Sequence, residues 1–181
     1  NAVTVSGSGT TRTFTMPSSN VTISASFAKT DDQLAIESAK SLIDAMSNVT
    51  VDQATANTEA SVKTWLIAKI NSLSGMSATG ITVTADNITL SNFIAAVEGA
   101  SSSSTRKNGS FKFSVNLQKT ETTQVTASNS GVITATTIYS VNVNVSTNGS
   151  VTASPTTGSA GTQITLSVTA NDGYELDNIT T

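Results

Sequence analysis

The stretch Phe111-Lys112-Phe113-Ser114-Val115-Asn116-Leu117 alternates apolar and polar residues without a break. Successive side chains of a strand point to opposite faces, so this segment reads as a strand with one wholly apolar face and one polar face. Lys112, between the two phenylalanines, falls on the polar side. That position argues against a buried lysine of the kind an intramolecular Lys–Asn isopeptide bond requires. An apolar sheet face must be covered by a second layer, and the residues upstream offer one.

The period changes at Thr30. Thr30 and Gln33 have capping-box spacing, and Asp31 and Asp32 suit the positive end of a helix dipole. Leu34, Ala35, Ala39, Leu42, Ile43 and Met46 then share one face, which predicts a helix over 31–46. A second helix is predicted over 58–73, capped by Asn57 or Thr58, with Val62, Trp65, Leu66, Ile70 and Leu73 as its stripe and Gly75 beyond its end. Trp65, the single tryptophan, is expected as the central anchor of the core against Phe111, Phe113 and Val115. Further strands are expected at Ile81, Val83 and Ala85, at Ile88 and Leu90 after an Asp86-Asn87 turn, and over 93–97. Val125 and Ala127 are expected to form a hairpin with Val132, Ile133 and Ala135 across Ser128-Asn129-Ser130-Gly131. Residues 30–137 therefore read as an α+β domain, two helices on one face of an antiparallel sheet, large enough to hold its own core.

The flanks carry only strand periodicity. In residues 1–29, Val3 and Val5, Phe14 and Met16, then Val21, Ile23, Ala25 and Phe27 suggest a meander of about three strands, too small to bury a core. In residues 138–181, Tyr139, Val141, Val143 and Val145 precede an Asn148-Gly149 hairpin signal. Val151 and Ala153 follow, then Ile164, Leu166 and Val168. An Asn171-Asp172-Gly173 turn leads to Tyr174, Leu176 and Ile179. Each flank stops short of a domain, so both read as partial all-β units, sandwich-like or β-grasp-like.

Composition narrows the chemistry. The 181 residues include neither Cys nor His, and about a third are Ser or Thr, while only 12% are charged. That removes Ser-His-Asp and Cys-His nucleophiles, thiolate metal sites and redox disulfides. A formal charge of -3 with one adjacent basic pair, Arg106-Lys107, gives no electrostatic footprint for nucleic acid. The longest apolar stretch, 65–70, is far shorter than the roughly 20 residues of a membrane span. Asp172, Glu175 and Asp177 offer oxygen ligands for calcium, but without the spacing of an EF-hand loop, and a polar turn explains them as well. Asp31, Asp32 and Asp52 are conceivable acid/base carboxylates, although a helix start accounts for the first two. Tyr139, Tyr174 and Trp65 are the aromatics available to stack on sugar, and their positions favour core packing. We expect no catalytic, cofactor or metal site.

Residues 14–27, Phe-Thr-Met-Pro-Ser-Ser-Asn-Val-Thr-Ile-Ser-Ala-Ser-Phe, resemble the closing signature of divergent internalin B-repeat-like modules. Tyr139, Gly149-Ser150-Val151, Pro155, Gly161 and Asp172-Gly173-Tyr174 are similar to the opening of the same module. The middle region is similar to modules of large, repetitive bacterial surface proteins. The resemblance implies a secreted or cell-surface location and a non-catalytic spacer, stalk or adhesive role. It also implies partners: neighbouring copies or repeats, joined through the terminal β segments by strand complementation and, if the contact propagates, a filament. An alternative class is a carbohydrate- or host-protein-binding module of a secreted adhesin or polysaccharide-degrading enzyme.

Overall fold

The computed structural model describes residues 3–120, 124–144 and 147–180. Val145, assigned above to a strand, lies outside the described residues, as do Asn1 and Thr181. The chain divides into two compact units, Asn1–Thr30 and Asp31–Thr181.

The second unit opens with helix α1 (Asp31–Asp44), strand β1 (Thr50–Asp52), helix α2 (Glu59–Asn71) and the single turn α3 (Met76–Thr79). After a 3-10 turn at Ala85–Asn87 come β2 (Ile88–Ile94), β3 (Gly109–Leu117) and β4 (Val125–Thr134). These form a four-stranded sheet in the order β1-β4-β3-β2, antiparallel except for the parallel pair β1 and β4. The architecture is α+β, with β1 as a short parallel edge that periodicity did not reveal. On β3, Gly109, Phe111, Phe113, Val115 and Leu117 are buried and Lys112 is exposed. Burying four large side chains from this strand contributes roughly 6–12 kcal/mol before entropy is counted.

Helix α2 begins as its sequence indicates. The Ser61 amide donates to Thr58 Oγ1 at 3.2 Å and the Thr58 amide to Ser61 Oγ at 3.0 Å, a reciprocal cap that satisfies two orphan donors. Val62, Leu66 and Ile70 are fully buried in the core cluster, whereas Trp65 is only partly buried and packs against it. The tryptophan is therefore marginal to the core, and Leu66 takes the central place.

Helix α1 buries Ile36, Ala39 and Ile43, spaced by three and four residues, and leaves Leu34 48% exposed. It carries more apolar residues than one face can hold, and the packed face is rotated from the expected one. The helix also ends two residues earlier than the stripe suggests. Asn129 Nδ2 donates to the carbonyls of Ile43 and Met46, each at 3.0 Å, while the Ser128 amide donates to Asp44 Oδ1 at 3.0 Å. Partial burial pushes the Asp44 carboxyl up. The hydrogen bond from Lys40, the Ser128 amide and the Lys40 charge outweigh that and hold it below its ordinary value.

Those contacts explain a misreading. Ser128-Asn129-Ser130-Gly131 is no turn but the middle of one continuous strand, β4, paired with β3 from Val125 to Ile133. Asn129 is present to cap α1. Gly131 is present because a Cβ there would lie 2.2 Å from Phe111 Cζ and 2.8 Å from the Val49 carbonyl oxygen. Similarly, 88–90 and 93–94 belong to one strand, β2, interrupted by an irregularity at Asn92, whose φ is 50°. The strand expected at 81–85 is not formed: Ile81 and Val83 are buried but 81–84 pair with no neighbouring strand, and Ala85 belongs to the 3-10 turn. Instead Asn71 acts as the partner of this segment, donating from Nδ2 to the Val83 carbonyl and accepting the Val83 amide, both at 2.8 Å. Asn57 clamps Ala96 in the same way, at 3.0 and 2.7 Å. Uncharged amides thus satisfy buried backbone groups in a chain poor in ions.

The first unit holds one antiparallel bridge, Ser6 to Thr13, with amide-to-carbonyl bonds of 2.9 Å in both directions across Gly7 (φ 110°) and Gly9 (φ 61°). The three-strand meander expected here is not formed among the described residues. A lone hairpin has too little apolar surface to hold strands together in water.

Candidate functional site

Residues 139–170 build two small ribbons. β5 (Tyr139–Ser140) pairs with β7 (Thr157–Gly158), and β6 (Gly149–Ser154) pairs antiparallel with β8 (Thr165–Ala170). β6 is paired along its length with β8, and the Asn171 amide donates to the Asn148 carbonyl at 3.0 Å; among the described residues 141–144 form no strand, and Val145 of the expected hairpin lies outside them. Cross-strand pairs divide the ribbon cleanly. Val151 faces Val168 and Ala153 faces Leu166 on one side, while Ser150 faces Thr169 and Thr152 faces Ser167 on the other.

The hydroxyl side needs only water. The apolar side opens on a cleft of about 690 Å³, closed in part by 141–144 and by 174–180, which follow the left-handed turn at Gly173 (φ 83°). Along it, Leu166 is 40%, Tyr174 56%, Leu176 55% and Ile179 45% exposed. Among the described residues the apolar side of this ribbon has no second layer, whereas the apolar face of the four-stranded sheet is buried.

The first unit shows the same deficit. Met16 is 63%, Ile23 69% and Phe27 95% exposed. The two segments carry opposite charge: residues 3–30 contain Arg12 and Lys29 and no acid, while 138–180 contain Asp172, Glu175 and Asp177 and no base. Glu175 and Asp177 line the cleft. This sign asymmetry is visible in the sequence when charge is counted segment by segment.

The residues weighed above are not brought together. Asp31 and Asp32 sit at the start of α1, with Asp32 Oδ1 3.5 Å from Lys119 Nζ, and Asp52 ends β1. Among the described residues, no three acidic groups converge to hold a metal ion, Asp172, Glu175 and Asp177 included. Tyr139, at 57% exposure, and Tyr174 are not core residues as expected, because the layer that would bury them is missing from this unit. A second, shallow groove lies between α1 and α3, lined by Leu34, Leu42, Gly75 and Ala78 among others. Among the described residues no helix is long and apolar enough to cross a membrane.

Comparison with known families places the flanks in one class. The divergent InlB B-repeat domain matches residues 1–31 and 139–181, so both ends of the chain resemble that repeat of bacterial surface proteins. No curated protein matches the chain, and no solved structure matches it.

Proposed function

We propose that this chain is a non-catalytic structural module of an extracellular bacterial surface protein. It is a self-contained α+β spacer set between β repeats that are completed by neighbouring repeats or copies. The observation that supports this most is the match of one repeat family to both ends of the chain, on either side of a core closed without them. The hydroxyl-rich, weakly charged composition suits a spacer, since it offers no strong electrostatic partner site. An adhesive role would be exercised through what the module presents.

A glycan and matrix-protein array with the purified chain tests this reading, and we expect no specific binding. One observation favours a second reading: Tyr174 stands exposed in the cleft beside Glu175 and Asp177, an aromatic with polar neighbours that suits a sugar ring. Binding to a glycan that is lost in Tyr174→Ala, with the fold intact, would replace the spacer reading with that one.

A further inference from the structure

We propose that the cleft of the 139–180 unit receives residues 14–27 from a second copy of this chain. This rests on the module reading above and names the partner of that open groove. Four observations carry it. One repeat family matches both segments. Both carry apolar residues that their own unit does not bury, Phe27 at 95% and Leu176 at 55% exposure. Their lengths agree: at about 3.3 Å per residue, residues 21–27 in an extended conformation and the strands of the β6–β8 ribbon each span roughly 20 Å. Their charges are complementary, with Arg12 and Lys29 near the ends of the donated segment and Glu175 and Asp177 on the cleft wall.

In an extended conformation Val21, Ile23, Ala25 and Phe27 point the same way. That row is what the wall formed by Val151, Leu166 and Val168 lacks. The alternate residues Thr22, Ser24 and Ser26 would continue the hydroxyl side of the ribbon. Pairing at a free edge of the β6–β8 ribbon adds main-chain hydrogen bonds and turns the apolar row toward the cleft, which makes this a strand-addition mode of recognition. Because donor and receptor are different surfaces, the contact is heterologous, and each copy that donates also keeps an open cleft.

Sedimentation velocity on the full chain across a concentration series tests the proposal. Wild type should grow beyond a dimer as concentration rises, and salt well above physiological strength should weaken the association. A donor variant, Ile23→Asp with Phe27→Asp, and a receptor variant, Val151→Asp with Val168→Asp, should each weaken self-association by at least about tenfold. Mixed in equal amounts, they should form a one-to-one dimer that grows no further, since one intact donor meets one intact cleft. Thr152→Asp and Ser167→Asp, on the hydroxyl side, should assemble like wild type. The donor residues are exposed, so their substitution does not threaten the fold, and NMR contacts across the ribbon between Ala153 and Leu166 check the receptor variant. A wild type that stays monomeric at every concentration overturns the proposal while leaving the spacer reading standing, and so does a mixture that stays monomeric. Glycan capture without self-association overturns both.

Discussion

The sheet β1-β4-β3-β2 and the ribbon β6–β8 are built from the same materials, alternating apolar and hydroxyl residues punctuated by glycine. Only one of them is finished. Phe111, Phe113, Val115 and Leu117 are at most 2% exposed, whereas on the ribbon Leu166 is 40% exposed. What differs is the second layer. The sheet has α1 and α2 over its apolar face, while the ribbon faces an open cleft. Strand alternation creates a demand for a partner surface, and whether the chain itself meets that demand separates a domain from a part of one.

The comparison breaks most sharply at Phe113. Phe113→Ala should lower stability by about 3–5 kcal/mol in denaturant unfolding, as a large-to-small change in a closed core. A loss under about 1 kcal/mol would mean the sheet face is not the centre. Gly131→Ala should cost on the order of 2–3 kcal/mol, because the new methyl group must displace the Phe111 ring or the backbone at Val49; a neutral thermal shift would contradict this packing. Asn129→Ala should cost about 1–3 kcal/mol by removing the side-chain donor to the Met46 carbonyl and to the Ile43 carbonyl, which would keep only the Met46 amide. Hydrogen exchange should locate that loss at the end of α1.

Asp44 gives a smaller, pH-dependent effect. Its folded-state pKa is lowered from an ordinary value of 3.8, so its stabilisation is present above about pH 4 and lost as pH falls through the lower folded value. With the side chain 37% exposed, solvent screening limits the benefit to under about 1 kcal/mol. Asp44→Asn should be less stable than wild type near neutrality and indistinguishable from it in strong acid. An equal gap at both extremes would remove the carboxylate from the explanation. The smallest effect should come from the ribbon: Val168→Ala should leave the main unfolding transition within about 0.5 kcal/mol of wild type, since that side chain lies outside the buried cluster.

Much of this was readable from the residues, and the failures share a cause. The β3 alternation, the Thr58 cap and the apolar face of α2 each follow from local chemistry. The Ser128–Gly131 error arose because turn residues were serving tertiary purposes, one as a cap for a helix more than eighty residues earlier in sequence and one as clearance for a ring. Asn57 and Asn71 are likewise silent in a periodicity reading, since an amide that replaces a strand leaves no repeating pattern. Trp65 was overvalued by size alone. At the candidate site, the strand periodicity of both flanks was plain from their pattern. The opposite charges at Arg12, Lys29, Glu175 and Asp177 were equally present in the sequence, but they acquired meaning only when Glu175 and Asp177 were found along an open cleft.

Amide hydrogen exchange, measured residue by residue as protein concentration rises, tests the central claim that the core is self-sufficient and the terminal β segments are not. β3 and β4 should be strongly protected at every concentration. Residues 21–27 and the ribbon β6–β8 should exchange rapidly in dilute solution and gain protection together as copies associate. Protection of both terminal segments at high dilution, or of neither at any concentration, would contradict the account.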